Sequence, residues 1–219
     1  MPLLLHKAIE NGVIGLWKIS EEVDELYRLS RLSDPDKLTY AGISSLHRKK
    51  EWLATRALLN NLTGEPVRIS YQEDGRPYPE SGEFKISISH TSGFVTILLH
   101  QKSIPGIDIE LTTRQVGKVA SRFLSSEELD ACRESSEYSN RQLLLHWCAK
   151  EAVFKMVPFN NIEFSTDIRI KLNDVSHDSG SFYGIFYGKA GQVPIPLNYL
   201  INNGVVIVWG FVDQIKFSN

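Results

Sequence analysis

Apolar residues along this chain switch repeatedly between a period of two and a period near 3.6, the alternation expected of mixed strands and helices. Val13–Ile19 reads as a strand. Ser20 is placed to cap a helix running through Val23, Leu26, Tyr27 and Leu29, with acidic residues at its positive end. Ser33-Asp34-Pro35-Asp36 reads as a break. A longer helix is predicted from Ser44 to Leu62, with Leu46, Trp52, Leu53, Leu58, Leu59 and Leu62 near helical spacing and Gly64 ending it. Val67–Tyr71 predicts a short strand and residues 72–79 a turn-rich loop. Phe84–Ser89, Phe94–Leu99 and Gly106–Leu111 are strand-like and close enough to form hairpins.

Further on, Ser125-Ser126-Glu127-Glu128 has the form of a capping box and predicts a helix start. A polar stretch, Glu134 to Asn140, leads to a helix over about Arg141–Val157, which Pro158 stops. Asp167–Leu172, Phe182–Tyr187 and Val205–Phe211 predict strands. Helices followed by antiparallel strands occur in both halves. The expected fold class is therefore α+β, two related lobes, each an antiparallel sheet packed on helices. The N-terminal lobe is placed at 1–103 and the C-terminal lobe at 104–219.

The totals narrow the choices. A chain of 219 residues with 42% hydrophobic and 23% charged residues can bury a core. A net charge of −2 gives no sign of nucleic-acid binding by bulk charge. Leu3–Leu5 is too short for a signal segment, and no run suits a membrane span, so a cytoplasmic protein is expected. Neither Cys132 nor Cys148 belongs to a metal-binding or redox pair, and Cys148 reads as a buried free thiol.

Five segments carry candidate chemistry. In Gly106-Ile107-Asp108-Ile109-Glu110-Leu111, strand alternation puts Asp108 and Glu110 on one face. By itself this is a weak signal, and a solvated acidic edge is the commoner state. In the helix, Trp147, Glu151 and Lys155 lie four apart on one side, with Lys150 beside Glu151. The commoner state there is a surface ion pair. Three carboxylates with several cations nevertheless suit a divalent metal set against a pyrophosphate. Ser87–Ser92 ends a strand in hydroxyls around His90, which can hydrogen-bond phosphate. His47-Arg48-Lys49-Lys50 is a basic cluster, and Gly75-Arg76-Pro77 a tight turn.

Taken together and in order, these segments resemble the 4′-phosphopantetheinyl transferase superfamily, in particular its two-lobed, Sfp-like branch. GIDIE at 106–110 and WCAKEAVFK at 147–155 are similar to its two signature motifs. ISISH at 86–90, DGRP at 74–77 and FLSSEE at 123–128 fall where further family blocks lie. The resemblance implies a pseudo-twofold pair of α+β lobes that moves phosphopantetheine from coenzyme A to a serine of an apo acyl or peptidyl carrier protein, releasing 3′,5′-ADP. It implies Mg²⁺ held by Asp108, Glu110 and Glu151. Glu151 would be the base, directly or through a metal-bound water, and Lys155 would meet the pyrophosphate with Lys150 assisting. Ser89 and His90 would meet phosphate, and Gly75, Arg76 and Pro77 the adenine. The 3′-phosphate contact stays open among Arg48, Lys49 and Lys50. The chain departs from the pattern at Thr91-Ser92-Gly93 and at Asn60 and Asn61.

Lys118 and Arg122, four apart, fall where the family docks its acidic partner. A monomer is the simpler expectation. A metal-dependent nuclease is the less suitable alternative, because Glu151 and Lys155 sit four apart on a helix rather than close together on a strand. A non-catalytic relative that binds coenzyme A or a carrier protein is the other.

Overall fold

The computed structural model describes residues 2–134, 140–158, 161–172, 175–189 and 191–213. Of the polar stretch between Glu134 and Asn140, positions 135–139 lie outside the described residues. The chain divides into two compact units, Met1–Lys102 and Ser103–Asn219. Each is mixed α+β with an antiparallel sheet.

In the first unit, β1 (Leu3–Ile9), β2 (Gly12–Lys18), β5 (Lys85–Thr91) and β6 (Phe94–His100) form a sheet of order β1-β2-β6-β5. β3 (Ile69–Tyr71) and β4 (Pro77–Pro79) form a separate ribbon. The helices are α1 (Val23–Ser30), α2 (Asp34–Ala41) and α3 (Leu46–Thr63). Leu53, Leu58 and Leu59 of α3 pack with Trp17 of β2 and with Val95 and Ile97 of β6 in one core. The ends of α3 follow their sequence signals. The Ser45 side chain accepts from the Arg48 N–H, and Gly64, at φ 80°, donates its N–H to the Asn60 carbonyl.

Several readings change here. Ser20 does not cap α1, which begins after Glu22 with no side-chain cap; the Ser20 N–H instead donates to the Glu21 carboxylate. Ser33-Asp34-Pro35-Asp36 starts α2 rather than breaking the chain. Ser33 Oγ accepts from Asp36 N and donates to Asp36 Oδ2, while Pro35 sits in the first turn, where no N–H is needed. The ends of the 72–79 loop pair, Tyr71 opposite Pro77, closing the β3–β4 ribbon. β1 has no clear alternation; its pairing with β2 makes it a strand.

In the second unit, β7 (Ile104–Leu111) is followed by a single 3-10 turn (Gly117–Val119), α4 (Ala120–Phe123), α5 (Ser126–Glu134), α6 (Asn140–Met156) and α7 (Phe164–Asp167). Then come β8 (Ile168–Lys171), β9 (Ser179–Gly188), β10 (Gly191–Asn202) and β11 (Val205–Val212), giving a sheet of order β7-β11-β10-β9-β8. β7 therefore makes no hairpin with β6 and pairs instead with β11, Asp108 opposite Val208. Leu145, Cys148, Ala149, Ala152, Val153 and Met156 of α6 bury with Val206 and Val208 of β11 and Phe182 and Phe186 of β9.

No strand is predicted over 191–202, yet β10 forms there. β9 pairs with β10 over 191–200, but β11 reaches back only to Leu197. Pro194 and Pro196 therefore lie where one side of β10 has no partner strand, and their missing N–H leaves no ladder bond unmade.

The capping box forms as expected. Ser125 N–H donates to Glu128 Oε2 at 2.8 Å, and Glu128 N–H to Ser125 Oγ at 3.1 Å. The Glu128 carboxylate then does more than cap. It accepts from Ile170 N at 2.7 Å and from Lys150 Nζ at 2.6 Å. Lys150 is fully buried and also donates to the carbonyls of Phe164 (2.9 Å) and Ile168 (2.8 Å). Burial pulls the Lys150 ammonium below its ordinary range, and Glu128 opposes that.

No helix among the described residues is long and apolar enough to cross a membrane.

Removing one partner of a buried ion pair strands the other. Glu128→Ala is expected to lower unfolding free energy by about 3–5 kcal/mol. Glu128→Ala with Lys150→Met is expected to recover part of that loss. Denaturant unfolding of both variants checks it; a double variant no more stable than the single would contradict it.

Candidate functional site

β7 places its even-numbered residues toward α6. A Cβ on Gly106 would lie 2.1 Å from the Ala152 carbonyl oxygen and 2.7 Å from Met156 Cγ, so helix and strand touch there directly. Asp108 and Glu110 share that face. They are 6% and 7% exposed, so the solvated acidic edge expected of an isolated DxE strand is not what forms.

Each carboxylate is met by donors. Lys155 Nζ lies 2.8 Å from Asp108 Oδ1 and donates also to the Ile107 carbonyl at 2.8 Å. The Cys148 thiol hydrogen-bonds Asp108. Trp147 Nε1 donates to Glu110 Oε1 at 3.3 Å, and Arg114 ion-pairs with the same oxygen. The Arg114 guanidinium lies 5.1 Å from the Trp147 ring centroid.

Glu151 joins this group electrostatically. Burial pushes its carboxyl up, Asp108 pushes it further, and Lys155 and Arg114 pull it down. Burial likewise pushes the Cys148 thiol well up, with Asp108 adding to the effect, which keeps the sulfur a neutral thiol.

The helix thus brings Trp147, Glu151 and Lys155 to one side, over Asp108 and Glu110. It does not bring Lys150. Successive helical residues differ by roughly 100°, and Lys150 spends its three N–H bonds on Glu128, Phe164 and Ile168. Its adjacency to Glu151 is one of sequence only. Arg114 had no sequence signal: it follows Glu110 by four residues but lies past the strand end, where neither period applies.

The remaining candidates lie in the first unit. Arg48 is exposed; Lys50 Nζ lies 3.2 Å from Glu22; Lys49 Nζ lies 5.1 Å from the Tyr40 ring centroid. Gly75 turns at φ 83°, where a side chain would be strained, and Arg76 pairs with Asp74 at 3.2 Å. Pro77 opens β4. Ser89 is buried on β5, and His90, at the end of that strand, lies 3.3 Å from Glu51. Lys118 and Arg122 are both exposed, but on the 3-10 turn and α4 rather than on one helix.

Residues 105–205 match the family model described as the 4′-phosphopantetheinyl transferase superfamily. The second unit belongs to that superfamily. All five acidic and basic residues of the two motifs, Asp108, Glu110, Lys150, Glu151 and Lys155, fall within the matched superfamily region. A Haemophilus influenzae protein named "Putative 4′-phosphopantetheinyl transferase" is 30% identical over 103 residues. That alignment covers 45% of this chain and 43% of the relative, so the chain matches less than half of that protein's length.

For a metal, the donor chemistry suits a hard divalent ion: three carboxylates, two of them coupled closely enough that Asp108 raises Glu151. Among the described residues, however, no group of three His, Cys, Asp or Glu side chains is gathered to hold an ion as they stand. Lys155 and Arg114 sit on Asp108 and Glu110.

The raised carboxyl of Glu151 has a consequence for stability. A carboxyl that binds its proton more tightly in the fold opposes folding once ionised. The penalty is absent below the ordinary glutamate range and complete above the raised value. Glu151→Gln is therefore expected to unfold at higher temperature than the wild type near neutral pH, with the advantage vanishing in acid. Thermal melts across pH check this; equal melting near neutrality would contradict it.

Proposed function

We propose that the protein is a Mg²⁺-dependent 4′-phosphopantetheinyl transferase of the two-lobed, Sfp-like branch. It moves phosphopantetheine from coenzyme A to a serine hydroxyl of an apo acyl or peptidyl carrier protein and releases 3′,5′-ADP. One observation carries the reading. The buried Asp108–Glu110 pair faces Glu151 and Lys155 across the β7–α6 contact, inside the region that matches the superfamily.

Phosphoryl-type transfer asks mainly for positioning and charge compensation. Asp108, Glu110 and Glu151 would hold the Mg²⁺, which when bound supplies positive charge to the pyrophosphate. Lys155 and Arg114 end in cationic groups that solvent reaches, with side chains 26% and 43% exposed. Both can exchange a carboxylate for a phosphate oxygen. A raised carboxyl makes Glu151 the stronger base for a serine proton. In the first unit, Ser89 and His90 are assigned to phosphate, Gly75-Arg76-Pro77 to the adenine, and Arg48 or Lys50 to the 3′-phosphate. The exposed Lys118 and Arg122 suit an acidic carrier surface.

The test is intact mass of a panel of apo carrier proteins after incubation with coenzyme A and Mg²⁺. Addition of one phosphopantetheine is expected, with the rate falling at least about a hundredfold in Glu151→Gln. Wild-type protein that binds coenzyme A but modifies no carrier would replace this reading with a non-catalytic binding relative. Full activity in Glu151→Gln would remove that residue from the site.

A further inference from the structure

Arg114 stands on a fixed root. Its own N–H donates to the Leu111 carbonyl at 3.0 Å, closing a turn at the end of β7. Asn140, the first residue of α6, donates its side-chain amide to the Arg114 carbonyl at 2.8 Å and to the Thr112 carbonyl at 3.3 Å. The Thr112 N–H donates to the Gly204 carbonyl at 2.9 Å. The turn is thereby tied both to the start of the helix and to the β10–β11 connection.

The side chain leaves this turn, pairs with Glu110 and lies over the Trp147 ring. It differs from the other cation of the cluster. Lys155 is 26% exposed and also donates to the neutral Ile107 carbonyl, a contact that does not depend on Asp108. Among the described residues, the Arg114 guanidinium has a carboxylate and a ring face instead, and the side chain is 43% exposed. Of the two cations it is the one less bound to the backbone. Trp147 Nε1 donates to the same Glu110 oxygen, so that carboxylate keeps a donor when the guanidinium departs.

A guanidinium seated on Glu110 opposes a divalent ion in two ways. It covers an oxygen that the ion would use, and its charge repels the ion at short range. A guanidinium also pairs with phosphate oxygens as it does with carboxylates. The same side chain can therefore hold the ion off or make way for it, according to whether a phosphate is present.

We infer that Arg114 gates the metal site: on Glu110 it holds the divalent ion off while the protein is free of coenzyme A, and drawn to a pyrophosphate oxygen of coenzyme A it releases Glu110 to the ion. This rests on the proposed assignment of Asp108, Glu110 and Glu151 to Mg²⁺ and of coenzyme A as substrate. Linkage makes each of the two ligands tighten the other by one common factor, and Arg114 carries part of that factor.

The test is Mn²⁺ binding to the full chain, followed by electron paramagnetic resonance with and without coenzyme A and before any carrier protein is added. A titration of coenzyme A alone corrects for Mn²⁺ that it binds in solution. In the wild type, coenzyme A is expected to tighten Mn²⁺ binding by about tenfold. Arg114→Gln is expected to bind Mn²⁺ severalfold more tightly than the wild type without coenzyme A, and to show a smaller coupling factor. Arg114→Lys keeps a cation on the same root and should keep most of the coupling. Lys171→Gln removes an exposed cation from β8 and should match the wild type. A cation that only adds to the local field would weaken Mn²⁺ binding equally with and without coenzyme A, so its removal would leave the coupling factor unchanged.

An unchanged coupling factor in Arg114→Gln overturns the inference and leaves the proposed function standing. So does ligand-free Arg114→Gln that binds Mn²⁺ no more tightly than the wild type. Failure of both proteins to bind Mn²⁺ even with coenzyme A overturns the metal assignment and the gate with it.

Discussion

A fully buried ammonium fixes the second unit. Lys150 has no water to fall back on, so each of its three N–H bonds must find an oxygen, and each does: Glu128 Oε2, the Phe164 carbonyl and the Ile168 carbonyl. Those oxygens belong to α5, to α7 and to the start of β8. The Lys150 side chain can satisfy them at one rotation of α6 about its axis, and any other rotation leaves a buried charge unmatched. That rotation turns the next residue, Glu151, toward β7. A residue that touches no part of the acidic cluster therefore decides where the cluster's third carboxylate points. Such pairs add little to stability over a well-packed apolar substitute. What this one supplies is orientation.

The second constraint is the contact at Gly106. The Ala152 carbonyl lies where any Cβ would have to be, so the helix axis is brought down onto the strand. A Cβ on Gly210, opposite Gly106 on β11, would lie 2.5 Å from the Pro196 carbonyl oxygen and 2.8 Å from Leu197 Cδ2. A flat glycine pair under the last turn of α6 lets Lys155 reach both the Ile107 carbonyl and Asp108. The same close packing buries Glu151, which raises its carboxyl, and the like charge of Asp108 raises it further. The cluster is thus a place where the fold gives up some stability for a local charge density that a cation can relieve, which is the usual physical sign of a site rather than of a core.

Much of this was legible in the chain. Strand alternation placed Asp108 and Glu110 on one face, helical spacing placed Trp147, Glu151 and Lys155 on one side, and the Ser125–Glu128 box marked its helix, because these signals are local. Other features were decided by partners distant in sequence. β7 looked like a hairpin strand beside β6, but its partner is β11. β10 had no predicted strand, and its Pro194 and Pro196 lie beyond the stretch that pairs with β11. Lys150 looked like a phosphate ligand because a row of letters does not show burial. Arg114 lay outside any periodic element. The box at Ser125 was read as a cap alone, and nothing local said that Glu128 also neutralises a lysine 22 residues later.

The placement of Lys155 and Arg114 bears on how such a site could work. Two carboxylates buried side by side need positive charge nearby at every stage, and in this fold two long side chains provide it. A pyrophosphate carries the same kind of oxygen as a carboxylate and competes for the same cations. If these side chains move to phosphate, Asp108 and Glu110 lose their compensation at the moment a divalent ion could replace it. Metal and nucleotide would then favour each other's binding without any change in backbone, since each removes the obstacle to the other. The roles of Asp108 and Lys155 in that exchange are inseparable. A charge-reversing change at either one alone should do more harm than the loss of its own contact, because it sets a like charge against the neighbouring group at ion-pair distance.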